Sequence, residues 1–108
     1  MIGEAELRAM KNSAVIVNVG RGPVIVEAAL VSALEQKRIR GAALDVFDRE
    51  PLPDGHPFWR LDNVLLSPHS ADHTIGWEQL AMQVFVENFE RFRNGQPLTN
   101  VVDKKAGY

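Results

Sequence analysis

Three short runs constrain this chain more than any other feature. Residues 14–19 (AVIVNV), 42–47 (AALDVF) and 63–66 (NVLL) are apolar nearly throughout, with no alternation of apolar and polar positions. A strand with one wet face alternates with period two, whereas a run apolar on both sides is read as a strand buried on both. The runs are too short for helices and rich in Val, Ile and Leu, so each is read as a strand. Segments of fifteen residues or more separate them, too long for hairpin turns. The expectation is an α/β arrangement with a mostly parallel sheet covered on both faces.

The intervening segments fit that scheme. Residues 26–38 carry Leu30, Ala33 and Leu34 as an apolar stripe, with Glu35, Lys37 and Arg38 on the wet side, and so predict a helix. Arg40-Gly41 is expected to end it, with glycine near the C-terminal cap. A shorter helix is expected over residues 3–11, with Leu7 and Met10 on one face, followed by a turn at Asn12-Ser13. Residues 48–62, with Pro51, Pro53 and Pro57 and no periodicity, read as a long loop, and residues 67–73 as a second loop. Thr74 is expected to cap a long helix running to about Asn94. Its apolar face would comprise Trp77, Leu80, Ala81, Val84, Phe85, Phe89 and Phe92, a stripe suited to a core or a domain interface. Gly95 would close it, and residues 98–103 (LTNVVD) would be a final extended piece.

Ligands of parallel sheets bind beyond the carboxyl ends of the strands. That rule sends Arg21 (after strand one), Asp45 and Glu50 (end of strand two) and His69 (after strand three) to one edge. Arg21 lies between two glycines in "VNVGRGPV". Its planar fork suits a substrate carboxylate, the plainer alternative being a surface arginine in a turn. Glu50 and His69, as a pair at adjacent strand ends, suit acid–base work: a carboxylate fixes the imidazole tautomer and favours the imidazolium. Taken singly, each reads more simply as an ordinary loop residue. Asp45 needs partners in so apolar a run. They would be either a ligand amide or nearby backbone groups. His56, beside Phe58 and Trp59, is expected to anchor the long loop, and His73 to cap the long helix, the alternative being that it lines the site. The three histidines include no short-spaced pair on a helix, so no metal site is expected.

Charge narrows the partners. Twelve basic against fourteen acidic residues leave a net charge of −2, with no basic cluster for nucleic acid or an anionic membrane. No stretch reaches the ~18 apolar residues of a membrane helix. The start is no signal peptide, and cysteine is absent, so a cytoplasmic location is expected.

Four ordered segments, "NSAVIVNVGRGPVIVEAALVSAL", "GAALDVFDREPLP", "HPFWRLDNVLLSPH" and "NFERFRNGQPLTNVVD", resemble the D-isomer-specific 2-hydroxyacid dehydrogenase family, in particular its glyoxylate and hydroxypyruvate reductases. The resemblance implies the C-terminal half of a doubly wound, Rossmann-like sheet with a long crossover helix. It implies a division into residues 1–97, part of the nucleotide-binding domain, and 98–108, returning toward a substrate domain. It implies an NAD or NADP cofactor, a small 2-oxo or 2-hydroxy acid substrate, and a homodimer for the full-length protein. It further implies that Arg21 clamps the substrate carboxylate, that Glu50 orients His69, and that His69 exchanges a proton with the carbonyl oxygen. Asp45 would contact the nicotinamide carboxamide, with Val19, Gly20, Arg21, His69 and Ala71 also along the cofactor.

The chain departs from the family pattern at several points. No G-x-G-x-x-G motif occurs, so the chain is expected to be part of a longer one and without turnover alone. Val26 stands where an aspartate commonly opens the helix, and Asp72 where glycine is common. Two other functions fit the same segments: an NADH-responsive corepressor-like protein of this fold, or a truncated chain without catalysis.

Overall fold

The computed structural model describes residues 1–106, which divide into two compact units, one ending at Asp72 and one beginning at His73. The first unit opens with helix α1 (Glu4–Ala9), then strand β1 (Val15–Asn18), a 3-10 turn (Gly22–Val24) and helix α2 (Glu27–Glu35). Strand β2 (Gly41–Leu44), a second 3-10 turn (Pro57–Arg60) and strand β3 (Val64–Leu66) complete it. The three strands form one parallel sheet in the order β1-β2-β3.

Register explains what is buried. Ile16, Ala42 and Val64 form one row across the sheet, and Asn18, Leu44 and Leu66 another. These rows share a core with Leu7 of α1, Leu30, Ala33 and Leu34 of α2, and Ile39 and Phe58. The intervening row, Val17–Ala43–Leu65, faces the other way. Val17 is 62% exposed and Leu65 71%. Within the first unit the sheet is therefore covered on one face, by α1 and α2, where the apolar runs predict a layer on both.

Gly41 has a different role from the expected one. Helix α2 ends at a cap on Gln36, with Lys37 in the left-handed region (φ 53°). The Lys37 amide donates to the Leu34 carbonyl at 3.0 Å and the Arg38 amide to the Ala33 carbonyl at 2.9 Å, a Schellman closure. Gly41 instead begins β2, where a Cβ would lie 2.6 Å from the Asn63 carbonyl oxygen. The glycine admits the neighbouring chain. At its other end α2 begins on Val26, which offers no side-chain cap.

In the second unit helix α3 spans Trp77–Arg93. Its cap is Gly76, in the left-handed region at φ 80°, so neither Thr74 nor His73 caps it; the Thr74 carbonyl instead accepts from the Trp77 amide. The apolar stripe is present, with Phe85 and Phe89 rings stacked 6.5 Å apart, but no residue of α3 is buried. Gly95 closes the helix through a second Schellman pair, Gly95 to Phe92 and Gln96 to Arg91. Residues 98–103 form no strand; Thr99 bonds back to Asn88 Oδ1 through its amide at 2.8 Å and its hydroxyl at 3.2 Å. Among the described residues no helix is long and apolar enough to cross a membrane.

Candidate active site

The turn after β1 is built by one buried amide. Asn18 Oδ1 accepts from the Gly20 amide at 3.1 Å, and Asn18 Nδ2 donates to the Arg21 carbonyl at 2.9 Å. Both ends of the turn are thereby pinned to a single side chain. Arg21 stands exposed on it, with extended backbone, and Nη1 donates to the Gly20 carbonyl at 2.7 Å. That uses one of its five N–H donors. The flanking glycines differ in purpose. A Cβ on Gly20 would meet only Asn18 Oδ1, at 3.6 Å. One on Gly22 would overlap the Phe47 carbonyl at 2.1 Å and crowd the Asp48 nitrogen at 2.5 Å. Gly22 is there so that the loop after β2 can lie against the arginine turn.

Asp45 follows β2 directly and is buried. Its Oδ1 accepts from Ser67 Oγ at 2.5 Å and from the Ser70 amide at 2.9 Å, and its Oδ2 from the Ala71 amide at 2.9 Å. The Ser67 hydroxyl foremost, then the Ser70 and Ala71 amides and the nearby His69, hold its carboxyl below the usual aspartate range against the cost of burial. Asp45 is thus the post around which residues 67–71 wrap. At the top of that wrap His69 adopts φ 51°, a left-handed conformation uncommon for a residue with a Cβ.

The wrap delivers His69 to Glu50. His69 Nδ1 lies 2.6 Å from Glu50 Oε2, and Glu50 Oε1 accepts from the Phe47 amide at 2.9 Å. The His69 bond first, then the Phe47 amide, with the Arg21 charge contributing, hold the Glu50 carboxyl below its usual range. An ionised carboxylate only accepts, so the shared proton resides on Nδ1 and Nε2 is the nitrogen left over. The pair stays reachable, with side chains 44% and 33% exposed. Beside it opens a cleft of about 370 Å³ walled by Phe47, Pro51, Leu52, Trp59, Leu66 and Pro68. Arg21, Asp45, Glu50 and His69 are therefore all at the carboxyl edge of the sheet.

Three contributors escape a reading of the sequence. Asn18 lies inside an apolar run, Ser67 resembles an ordinary loop serine, and Glu27 looks like a solvated residue of the first helical turn. Glu27 Oε1 is 3.1 Å from His56 Nε2, and its Oε2 accepts from the Asp48 amide at 3.2 Å. His56 Nδ1 in turn accepts from the Phe58 amide at 3.3 Å, so His56 anchors the long loop as expected. A serine or acid is legible as a partner only once the distant group it bonds is known.

Of the positions the resemblance assigns to a nicotinamide cofactor, Val19, Gly20 and Ala71 are exposed, and Asp45 keeps one of about four acceptor directions unspent. This fits the nicotinamide end of such a molecule. The glycine turn is not a phosphate cradle, because the chain's own Phe47–Asp48 backbone fills the space above Gly22.

The chain is similar to proteins of known family. A family profile described as D-isomer specific 2-hydroxyacid dehydrogenase, NAD binding domain, matches residues 1–71. A glyoxylate reductase from Thermofilum pendens is 43% identical over 106 residues, covering 98% of this chain and 31% of that protein. A D-isomer specific 2-hydroxyacid dehydrogenase from Xanthobacter autotrophicus Py2, solved with NADPH and MES, superposes with a TM-score of 0.89. It is 45% identical, over 97% of this chain and 43% of the other. An NADPH-dependent glyoxylate/hydroxypyruvate reductase from Sinorhizobium meliloti, solved with NADP and sulfate, gives a TM-score of 0.87. It is 36% identical, over 99% of this chain and 35% of the other. The chain spans about a third of the length of the curated relatives it matches.

Proposed function

Because the chain belongs to the D-isomer specific 2-hydroxyacid dehydrogenase family, we propose that it carries the acid–base half of an NAD(P)-dependent active site acting on a small 2-oxo or 2-hydroxy acid. Relatives named glyoxylate and hydroxypyruvate reductases support a short 2-oxo acid as the substrate class. The observation that carries this proposal is the His69–Glu50 contact at 2.6 Å on the same edge as the Arg21 turn.

In this proposal each residue has the part that the family resemblance implies, and its geometry is compatible with that part. Arg21 binds the substrate carboxylate through the N–H donors not used on its own turn. Reduction places negative charge on the carbonyl oxygen, and His69 delivers a proton to it from Nε2. Glu50, holding Nδ1–H, fixes the ring so that Nε2 is the nitrogen presented, and its negative charge steadies the imidazolium before transfer. In the oxidation direction Nε2 takes the proton back. Asp45 holds the loop that carries His69 and keeps one acceptor direction for the carboxamide. Val19, Gly20 and Ala71 would border the nicotinamide ring. The nicotinamide, when bound, supplies or accepts the hydride.

Steady-state kinetics of the whole protein with NADH and NADPH, on glyoxylate and hydroxypyruvate, test this. His69→Gln should lower kcat by about 10²–10⁴-fold, the usual worth of a positioned general acid, and Glu50→Gln by less. Retention of the wild-type rate in His69→Gln would sink the proposal.

A further inference from the structure

The Glu27–His56 pair lies outside the chemistry just described, yet its contacts lead directly to it. Glu27 is in the first turn of α2, immediately after the arginine turn. Its two carboxylate oxygens reach different points of the loop that follows β2, one the Asp48 amide at 3.2 Å and the other His56 Nε2 at 3.1 Å. Asp48 adjoins Phe47, and the Phe47 amide is the donor that fixes Glu50 Oε1 at 2.9 Å. The same Phe47–Asp48 backbone is seated in the space left by the missing Cβ of Gly22. The segment is thus both packed against the arginine turn and tied to α2. The ring of His56 has no nitrogen to spare: Nδ1 accepts from Phe58 and Nε2 faces a carboxylate. Its side chain is 15% exposed and that of Glu27 23%, so the tie is mostly sheltered from water.

We propose that Glu27 and His56 are positioning residues, which hold residues 47–50 so that the Glu50 carboxylate meets His69 Nδ1. The catalytic consequence rests on the function proposed above; the positioning itself does not. Two variants separate the tie from its surroundings. Glu27→Ala removes both contacts. His56→Asn keeps an acceptor for the Phe58 amide, since asparagine is a good cap, but is too short to reach Glu27. His56→Gln keeps the reach and serves as the rescue.

The readout is the Glu50 side-chain carboxyl followed by NMR during an acid titration of the whole protein. In the wild type Glu50 should titrate below the ordinary glutamate range, because His69, the Phe47 amide and Arg21 all favour its charge. Glu27→Ala and His56→Asn should move its midpoint upward toward that range, and His56→Gln should return it. A merely stabilising contact would lower the melting temperature and leave the midpoint where it was. An unchanged Glu50 titration in folded His56→Asn overturns the proposal. So does failure of both variants to fold, which would make the pair a stability element. A shifted Glu50 in a whole protein that reduces no 2-oxo acid would leave the positioning standing and remove the catalytic function instead.

Discussion

The first unit contains two carboxylate–imidazole pairs, and they differ in what they leave over. In Glu50–His69 the carboxylate takes Nδ1, the pair is partly open to solvent, and Nε2 remains. In Glu27–His56 the carboxylate takes Nε2, a backbone amide takes Nδ1, and the pair is mostly sheltered. The residue types are the same, but only one pair has a nitrogen to offer a substrate. The proton transfer proposed for His69 would thus depend less on having a histidine beside an acid than on withholding the second ring nitrogen from the protein. The second pair spends both nitrogens on the frame that holds the first.

Gly22→Ala should break both pairs at once. The Phe47–Asp48 backbone lies between them, and the new Cβ would start at 2.1 Å from Phe47. Backbone cannot yield as a flexible side chain can, so the loss should exceed about 3 kcal/mol, beyond the usual cost of overpacking. Urea unfolding would show it, and a variant of near wild-type stability would contradict the close approach.

Acid should loosen the surroundings of the first pair. Asp45 and Glu50 are held below the ordinary carboxylate range in the folded chain. The folded state therefore binds protons less readily than the unfolded one. The stabilisation is fully present above about pH 4, the unperturbed carboxylate value, and is lost as pH falls through the folded values. Hydrogen-exchange protection of the Ser70 and Ala71 amides, both bound by Asp45, should fall below pH 4. Undiminished protection at pH 3 would mean that Asp45 does not hold the loop.

The smallest effect should come from the frame of the second pair. Val26 caps α2 with no side-chain bond and is half exposed. Val26→Ser should add about 1 kcal/mol through an N-cap bond, raising the melting temperature without altering the Glu50 titration. A shift in that titration would mean that the start of α2, and not Glu27 itself, sets the loop.

Much of this was legible in sequence because it depends on short-range pattern. Three apolar runs became three strands, the stripe of Leu30, Ala33 and Leu34 became the buried face of α2, and Gly95 became a helix closure. The convergence of Arg21, Asp45, Glu50 and His69 followed from strand polarity alone. Other features depend on distant groups. Gly41 looked like a cap because glycine favours caps, but its partner is the Asn63 carbonyl across the sheet. Lys37 took the left-handed position instead, which nothing in its neighbours announced. Thr74 had the right chemistry for a cap, yet the helix starts after Gly76. Asn18, Ser67 and Glu27 are polar residues whose value is set by what faces them, and periodicity says nothing of that.

The parallel order of the strands has a kinetic consequence. No two of them can be joined by a local turn, and the bonds that make the site span 19 residues (His69–Glu50), 22 (Ser67–Asp45) and 29 (His56–Glu27). These three must each wait for a long loop to close, the slow and entropically expensive kind of event in folding. The site is thus completed late: a chain caught midway in refolding, with α2 formed and β3 undocked, could keep the local Asn18 turn and the Phe47–Glu50 bond but would lack the contacts of His69 with Glu50 and of Ser67 with Asp45.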